Sequence, residues 1–331
     1  MKKLNKLGVI AIVTAMTLCG CSSETNKDIK TVGLVQMMEH SSLNTIRESF
    51  MDEMKVLGYE EGKNIKIDYK NGQGDQNTIN SIVSTFKGNK DDVIVAIATP
   101  TAQAAANVAK DIPVVFSAVS DPIKANLVTT LEKPDKNITG TSDEIQVEKI
   151  IDLMIKVKPD MKTIGFMYNK GEINSVSNIE RAKTYAKTKG LAIEETSVAS
   201  VTEVEQAAQV LASKSDAIFV PNDNTIASSM DVINRVMIKT KKPVFVGADS
   251  MVETGGFATI GINYEELGRE TARMVDKILK GETVANIPVK VFNENLYTYI
   301  NEDVTKQLGI QLPKEILNDK MTKQIKTQAK N

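Results

Sequence analysis

Tryptophan is absent from the 331 residues, histidine occurs once, at position 40, and the only cysteines are Cys19 and Cys21. Each scarcity excludes something. With both thiols at the very start, the remaining length has no disulfide and no cysteine cage for a metal. A hydrolase triad has only His40 as a base, and no G-x-S-x-G elbow or H-E-x-x-H zinc motif accompanies it. A formal net charge of -1 supplies no basic field for nucleic acid. The missing Trp argues against a sugar site, where rings stack on indole. Past the leader, no stretch approaches the ~20 apolar residues that cross a bilayer as a helix. The chain is therefore read as neither an enzyme nor a cofactor carrier.

What is there begins with an export leader. Met1-Lys2-Lys3-Leu4-Asn5-Lys6 is a short basic segment, and Leu7 to Leu18 is apolar. At roughly a dozen residues the apolar part suits a signal peptide and not a membrane span. Leu18-Cys19-Gly20-Cys21 then offers a small residue immediately before a cysteine. That is the pattern of a lipoprotein cleavage site, with Cys21 as the lipidated residue. Cys19 fits less well, because Leu18 is too bulky for the small-residue position. The reading is a signal peptide over 1–20 and a lipidated tether over 21–30. The mature protein would lie on the outer face of the cell membrane, held by lipid alone.

Beyond the tether, short apolar runs alternate with amphipathic segments. Val32–Gln36, Asn64–Tyr69, Asp92–Ile97 and Ile112–Phe116 read as strands, with helices over Leu43–Leu57 and Thr101–Lys110 among them. Continuous apolar strands mark a parallel sheet covered on both faces. A second series follows the same plan through Val147–Val157, Thr163–Met167, Ala192–Val198, Ala217–Val220, Val244–Val246 and Phe257–Ile262 to a long helix from Tyr264 to Lys280. The expected fold is α/β, with two similar doubly wound parallel-sheet lobes joined by a hinge. One lobe is assigned 31–138 plus 251–285, and the other 139–250 plus 286–331.

In open parallel sheets, ligands bind beyond the carboxyl ends of the strands. The loops there run through Gln36 to Ser42, Ala98 to Gln103, Ser117 to Pro122, Tyr168 to Ser175, Pro221 to Thr225 and Gly247 to Ser250. All are rich in Ser, Thr, Asn or Asp, and most lead into helices. Such residues cap helices in any α/β protein. The same free N–H groups and helix dipoles also make an anion site, for which Thr99, Thr101, Ser117, Asn174, Ser175 and Thr225 are candidates. Asp249 and Asp223, each just past a buried strand with no neighbouring cation, suit an ammonium group or a cap. A lone histidine is more often a packing or hydrogen-bonding residue than a metal ligand, so His40 is not read as catalytic.

These stretches together resemble a known family. Val35-Gln36 with Glu39-His40, Ala98 to Gln103, Phe116 to Pro122, Asn137 to Gly140, Tyr168 through Ser175, and Pro221 to Asn224 are similar to the solute-binding lipoproteins of ABC importers, in the group that binds tryptophan or tyrosine. The likeness runs from about Val32 to Gly309. It implies a type I periplasmic-binding-protein clamshell that delivers an aromatic amino acid to an ABC permease, as a monomer without a cofactor. Under that resemblance, Thr99, Thr101 and Ser117 would hold the ligand carboxylate, and Asp249, with Asp223, the ammonium. Gln36, Glu39, His40 and Asn174 would line the side-chain end, and Ala102, Ser175 and Asn224 complete the set. A surface interaction protein such as an adhesin or sensor, or a binder of another small polar solute, is the alternative.

Overall fold

The computed structural model describes residues 29–294 and 296–328. The expected signal peptide, Cys21 and most of the tether lie outside the described residues. The first lobe is built in order from β1 (Lys30–Gln36), α1 (Ser41–Val56), β2 (Ile65–Asn71), α2 (Gln76–Asn89), β3 (Val93–Ile97), α3 (Thr99–Ala106), β4 (Val114–Ser117) and β5 (Ile138–Ser142). The second contains α4 (Val147–Val157), β6 (Thr163–Asn169), α5 (Ile173–Thr188), β7 (Ala192–Val198), α6 (Val204–Lys214), β8 (Ala217–Val220), α7 (Asn224–Ala227), α8 (Met230–Thr240), β9 (Val244–Val246), α9 (Asp249–Glu253) and β10 (Ala258–Gly261). The chain then returns to the first lobe as α10 (Tyr264–Leu279) and β11 (Lys290–Val291), and ends in the second with β12 (Tyr297–Asn301) and β13 (Thr322–Ile325).

Strand pairing makes the two lobes copies of one topology. The first sheet runs β11-β5-β4-β3-β1-β2 and the second β13-β12-β10-β9-β8-β6-β7. In each, the first strand of the lobe lies between its second and third, the order in which a doubly wound sheet reverses direction. All pairings are parallel except β10 with β12. The central strands are short apolar runs because helices cover both their faces; Val93–Ile97 and Ala217–Val220 are wholly buried.

The lobe boundaries differ from the expected ones. Ile138–Ser142 stays in the first sheet by pairing with β4, and Ala258–Gly261 joins the second by pairing with β9 and β12. Residues 251–261 therefore belong to the second lobe and 286–291 to the first. The crossings fall just after Ser142, between Gly261 and Tyr264, and between Val291 and Tyr297. Backbone pairing decides these places: Ile138–Gly140 is part of β5, and the chain stays in the second lobe through Gly247–Asp249.

Phenylalanine supplies much of the core. Phe50, Phe86 and Phe116 in the first lobe, and Phe166, Phe219, Phe245 and Phe257 in the second, are all fully buried. Each such side chain contributes about 1.5–3 kcal/mol of hydrophobic stabilisation. With seven of the eight phenylalanines committed in this way, a binding surface must draw its aromatic rings mainly from the seven tyrosines. One close approach holds the returning helix in place. α10 packs against α1, and a Cβ at Gly268 would run into the Ile46 carbonyl oxygen and lie 3.0 Å from the Ser49 Cβ.

Candidate functional site

The two lobes meet at a cleft beyond the carboxyl ends of β1, β3, β4 and β5 on one side and β6, β8 and β9 on the other. A small pocket lies there, its walls so close that little more than water fits between them. Its apolar wall is Leu43, Ala98, Ala118, Ala227 and Met251, with Tyr264 as its one aromatic ring. Its polar lining is His40, Ser42, Thr99, Ser120, Asp143, Asn174, Asn222 and Asn224. No lysine or arginine is among the lining residues.

Asp143 is the one acidic residue of the pocket lining. It follows β5 directly, at the first crossing between lobes, and is 5% exposed. Ser120 Oγ donates to its Oδ1 at 3.0 Å, and Tyr264 OH and Asn222 Nδ2 donate to its Oδ2 at 2.7 and 2.5 Å. Tyr264 opens α10, just past the second crossing, so the Asp143–Tyr264 bond ties two hinge segments together. Burial pushes the Asp143 carboxyl above its ordinary value, against the opposing pull of those hydrogen bonds. Three neutral donors surround a carboxylate that has no cation. A buried carboxylate in that state is stabilised by an incoming ammonium group.

The opposite charge has a matching place. α3 starts at the cleft with no side-chain cap on its N-terminus, and so do α1 and α5. By contrast α2 and α10 are capped by Asp75 and Asn263. The turn into α3 is held by the Thr101 hydroxyl, which donates to the carbonyls of Ile97 and Ala98 at 2.6 and 2.7 Å. It is also strained, because Ala98 has φ +86 and ψ 157, a region that L residues avoid. Ala118, beside it in the pocket, has φ +57. Both outliers line the cleft, where strain of this kind concentrates.

A second buried acidic group lies behind the lobe-two wall. Glu172 accepts from Asn224 Nδ2 at 2.6 Å and from the backbone N–H groups of Asn224 and Thr225 at 3.2 and 3.3 Å. Burial, and then the negative charge of Asp223, push its carboxyl up to about 8. Asp223 caps α7 through Ile226 N and accepts from Asn169 N at 2.6 Å, which fixes the end of β6. Asn224 Oδ1 then faces His40 Nε2 across the cleft at 3.2 Å. Burial lowers His40 to about 4, so the ring is neutral at pH 7.

Bonds between lobes are numerous. Besides Asn222–Asp143 and His40–Asn224, Ser42 Oγ and Ser250 Oγ are 2.5 Å apart, and Lys124 Nζ donates to Ser177 Oγ at 2.8 Å. The clamshell is closed.

The structure brings His40, Thr99, Asn174 and Asn224 of the expected residues to the pocket. The others lie elsewhere. Gln36 is buried with its amide spent on Met38 O and Asn44 Oδ1, and Glu39 is solvent-exposed beside Arg47. Thr101 and Ala102 are internal to the α3 turn, and Ser117 is tied to Thr271 under the sheet at 2.8 Å. Ser175 and Asp223 are buried supports of the lobe-two wall. Asp249 is the main correction. It lines a different, open depression with Glu48, Glu253, Glu265 and Lys323, and its Oδ1 accepts from Ser250 N. It follows β9 as Asp143 follows β5, but of the short helix α9 it is Met251, and not Asp249, that lines the pocket. Ser120 and Asn222 lie in loops expected at the cleft without having been singled out, and Asp143, Met251 and Tyr264 lie outside those loops.

Comparison with known proteins fits this geometry. A family model described as ABC transporter substrate binding protein matches residues 31–324. A tyrosine-binding protein of Clostridioides difficile is 38% identical over 322 residues, covering 94% of this chain and 93% of the relative. Among solved structures, a domain from Streptococcus pneumonia in complex with L-Trp is 37% identical, with a TM-score of 0.85 over 90% of this chain and all of that one. A ligand-free, open structure of a substrate binding protein with adhesive properties from Clostridium difficile is 41% identical over 91% of this chain and all of that one, yet its TM-score is 0.68. The more identical chain is the less superposable one, as a difference between open and closed lobes would produce.

Proposed function

Because the chain belongs to the family of ABC transporter substrate-binding proteins, an extracytoplasmic and non-enzymatic family, we propose that its cleft captures an aromatic L-amino acid for the permease. The observation that carries this reading is Asp143, a buried carboxylate without a cation, facing an uncapped helix N-terminus in one small pocket. Asp143 would hold the ammonium group, and the start of α3 with Thr99 the carboxylate. Leu43, Met251 and Tyr264 would pack the ring. The tyrosine-binding relative and the L-Trp complex support an aromatic side chain. Closure removes the ligand from water and is favoured by contacts that exist only when the lobes meet.

A thermal-shift screen of the chain from Ser22 onward against the common amino acids tests this. A ligand at about 100 times its dissociation constant stabilises by roughly 2.7 kcal/mol. Stabilisation by Tyr, Trp or Phe is expected, and none with any of the three would sink the proposal. We further propose that Cys21 carries the lipid and that the protein is a monomer. Replacing Cys21 by Ser should release the protein from the membrane fraction, and light scattering should return the mass of one chain. An added role in adhesion is favoured by the adhesive relative at 41% identity. Absence of binding to host-cell surfaces would remove it.

A further inference from the structure

Six buried polar side-chain atoms among the described residues lack a hydrogen-bond partner, and two of them belong to residues lining the pocket: His40 Nδ1 and Asn174 Oδ1. The bonding around them settles what each can do. With the Glu172 carboxyl proton on Oε1, beside Thr225 Oγ1, Oε2 accepts from the Asn224 backbone N–H and from Asn224 Nδ2, and the Asn224 amide is oriented with its Oδ1 toward His40. An oxygen facing Nε2 at 3.2 Å requires the ring proton on Nε2. A neutral ring with its proton there has a bare acceptor at Nδ1. Asn174 is oriented in the same way. Its Nδ2 points to Asn222 O, Ser175 Oγ and Glu172 Oε2, all within 3.5 Å, which leaves Oδ1 as a second acceptor without a donor.

Both acceptors belong to residues at one corner of the pocket lining, since His40 and Asn174 are joined through Asn224 and Glu172. No lysine or arginine lines this corner, and His40 stays neutral through burial. We infer that the His40–Asn174 corner selects an aromatic amino acid whose side chain carries an O–H or N–H donor, and rejects one with a bare ring. The inference rests on the aromatic-amino-acid reading above and specifies its substrate class. A phenol or an indole N–H would satisfy an acceptor that is otherwise buried unpaired. A phenyl ring would leave it unpaired, and a site built for a donor discriminates strongly against the analogue lacking it.

Isothermal titration of the unmodified chain with L-Tyr, L-Trp, L-Phe, O-methyl-L-tyrosine and 1-methyl-L-tryptophan tests the inference without any substitution. Phe and each methylated analogue are expected to bind about a hundredfold more weakly than the donor-bearing parent. His40→Leu and Asn174→Ala, checked for a normal melting temperature, should reduce the ratio of Tyr or Trp to Phe by about tenfold or more. Phe binding as tightly as Tyr and Trp would overturn the inference while leaving an aromatic-amino-acid cleft intact. Discrimination that survives in both variants would overturn the assignment to His40 and Asn174. Binding of none of the three aromatic amino acids would overturn the underlying reading instead.

Discussion

Asn222 Nδ2 lies 2.5 Å from Asp143 Oδ2, so a side chain of the second lobe closes directly onto the hinge carboxylate of the first. A ligand ammonium drawn to Asp143 would meet lobe closure at the same atoms. Asp143→Asn should therefore weaken amino-acid binding by roughly ten- to a hundredfold, the loss of one charge-assisted hydrogen bond. The melting temperature of the unliganded variant should be equal or higher, because a buried charge without a cation has been removed. Titration calorimetry and a thermal melt on the same sample check both halves.

His40 makes binding depend on pH. Burial in the closed form lowers it from 6.5 to about 4. A depressed pKa means that the closed form binds fewer protons than one with the ring in water. Closure is then unopposed above 6.5 and loses favour as pH falls toward 4. Affinity for L-Tyr measured by calorimetry should drop about tenfold or more between pH 7.5 and pH 5, and His40→Leu should flatten that slope.

Glu172 acts in the opposite sense, and on folding. Its carboxyl is raised from 4.5 to about 8 by burial and by the charge of Asp223. Its contribution is fully present below 4.5 and is lost as pH rises through about 8. Glu172→Gln should leave the melting temperature nearly unchanged at pH 5 and raise it at pH 9, as followed by circular dichroism.

Gly268 tests packing away from the cleft. An added methyl meets the Ile46 carbonyl oxygen and the Ser49 side chain, so Gly268→Ala should cost about 1–3 kcal/mol of stability in urea unfolding. Ligand affinity should persist once the protein is folded, because neither contact reaches the pocket.

Most of the fold was legible in the sequence because its strands are apolar and its helices amphipathic. The bounds of α4, β7, β8 and β9 coincide with the hydrophobic pattern. β5 was not legible, and the principal site residue was lost with it. Its sequence, Ile-Thr-Gly-Thr-Ser, looks like a turn. Its polar side chains are buried by hydrogen bonding: Thr139 Oγ1 donates to Ile287 O at 2.6 Å, and Thr141 pairs with Thr271 at 3.1 Å. The rule that singled out Asp223 and Asp249, an acid just past a buried strand, applies equally to Asp143 once β5 is recognised as a strand. Pattern alone does not say which strand ends face the cleft. Asp249 and Asp143 obey one sequence rule and have different surroundings, because α9 turns Met251 into the pocket and Asp249 into the neighbouring depression. The strained turns at Ala98 and Ala118 were equally hidden, since alanine carries no sign of a positive φ.

A crystal structure of the chain grown with L-tyrosine or L-tryptophan tests the central claim most directly. The account predicts closed lobes, the ligand ammonium within hydrogen-bonding distance of Asp143, its carboxylate at the start of α3, and its ring between Leu43, Met251 and Tyr264. An ammonium group bound away from Asp143, or a ligand seated outside this pocket, would contradict it.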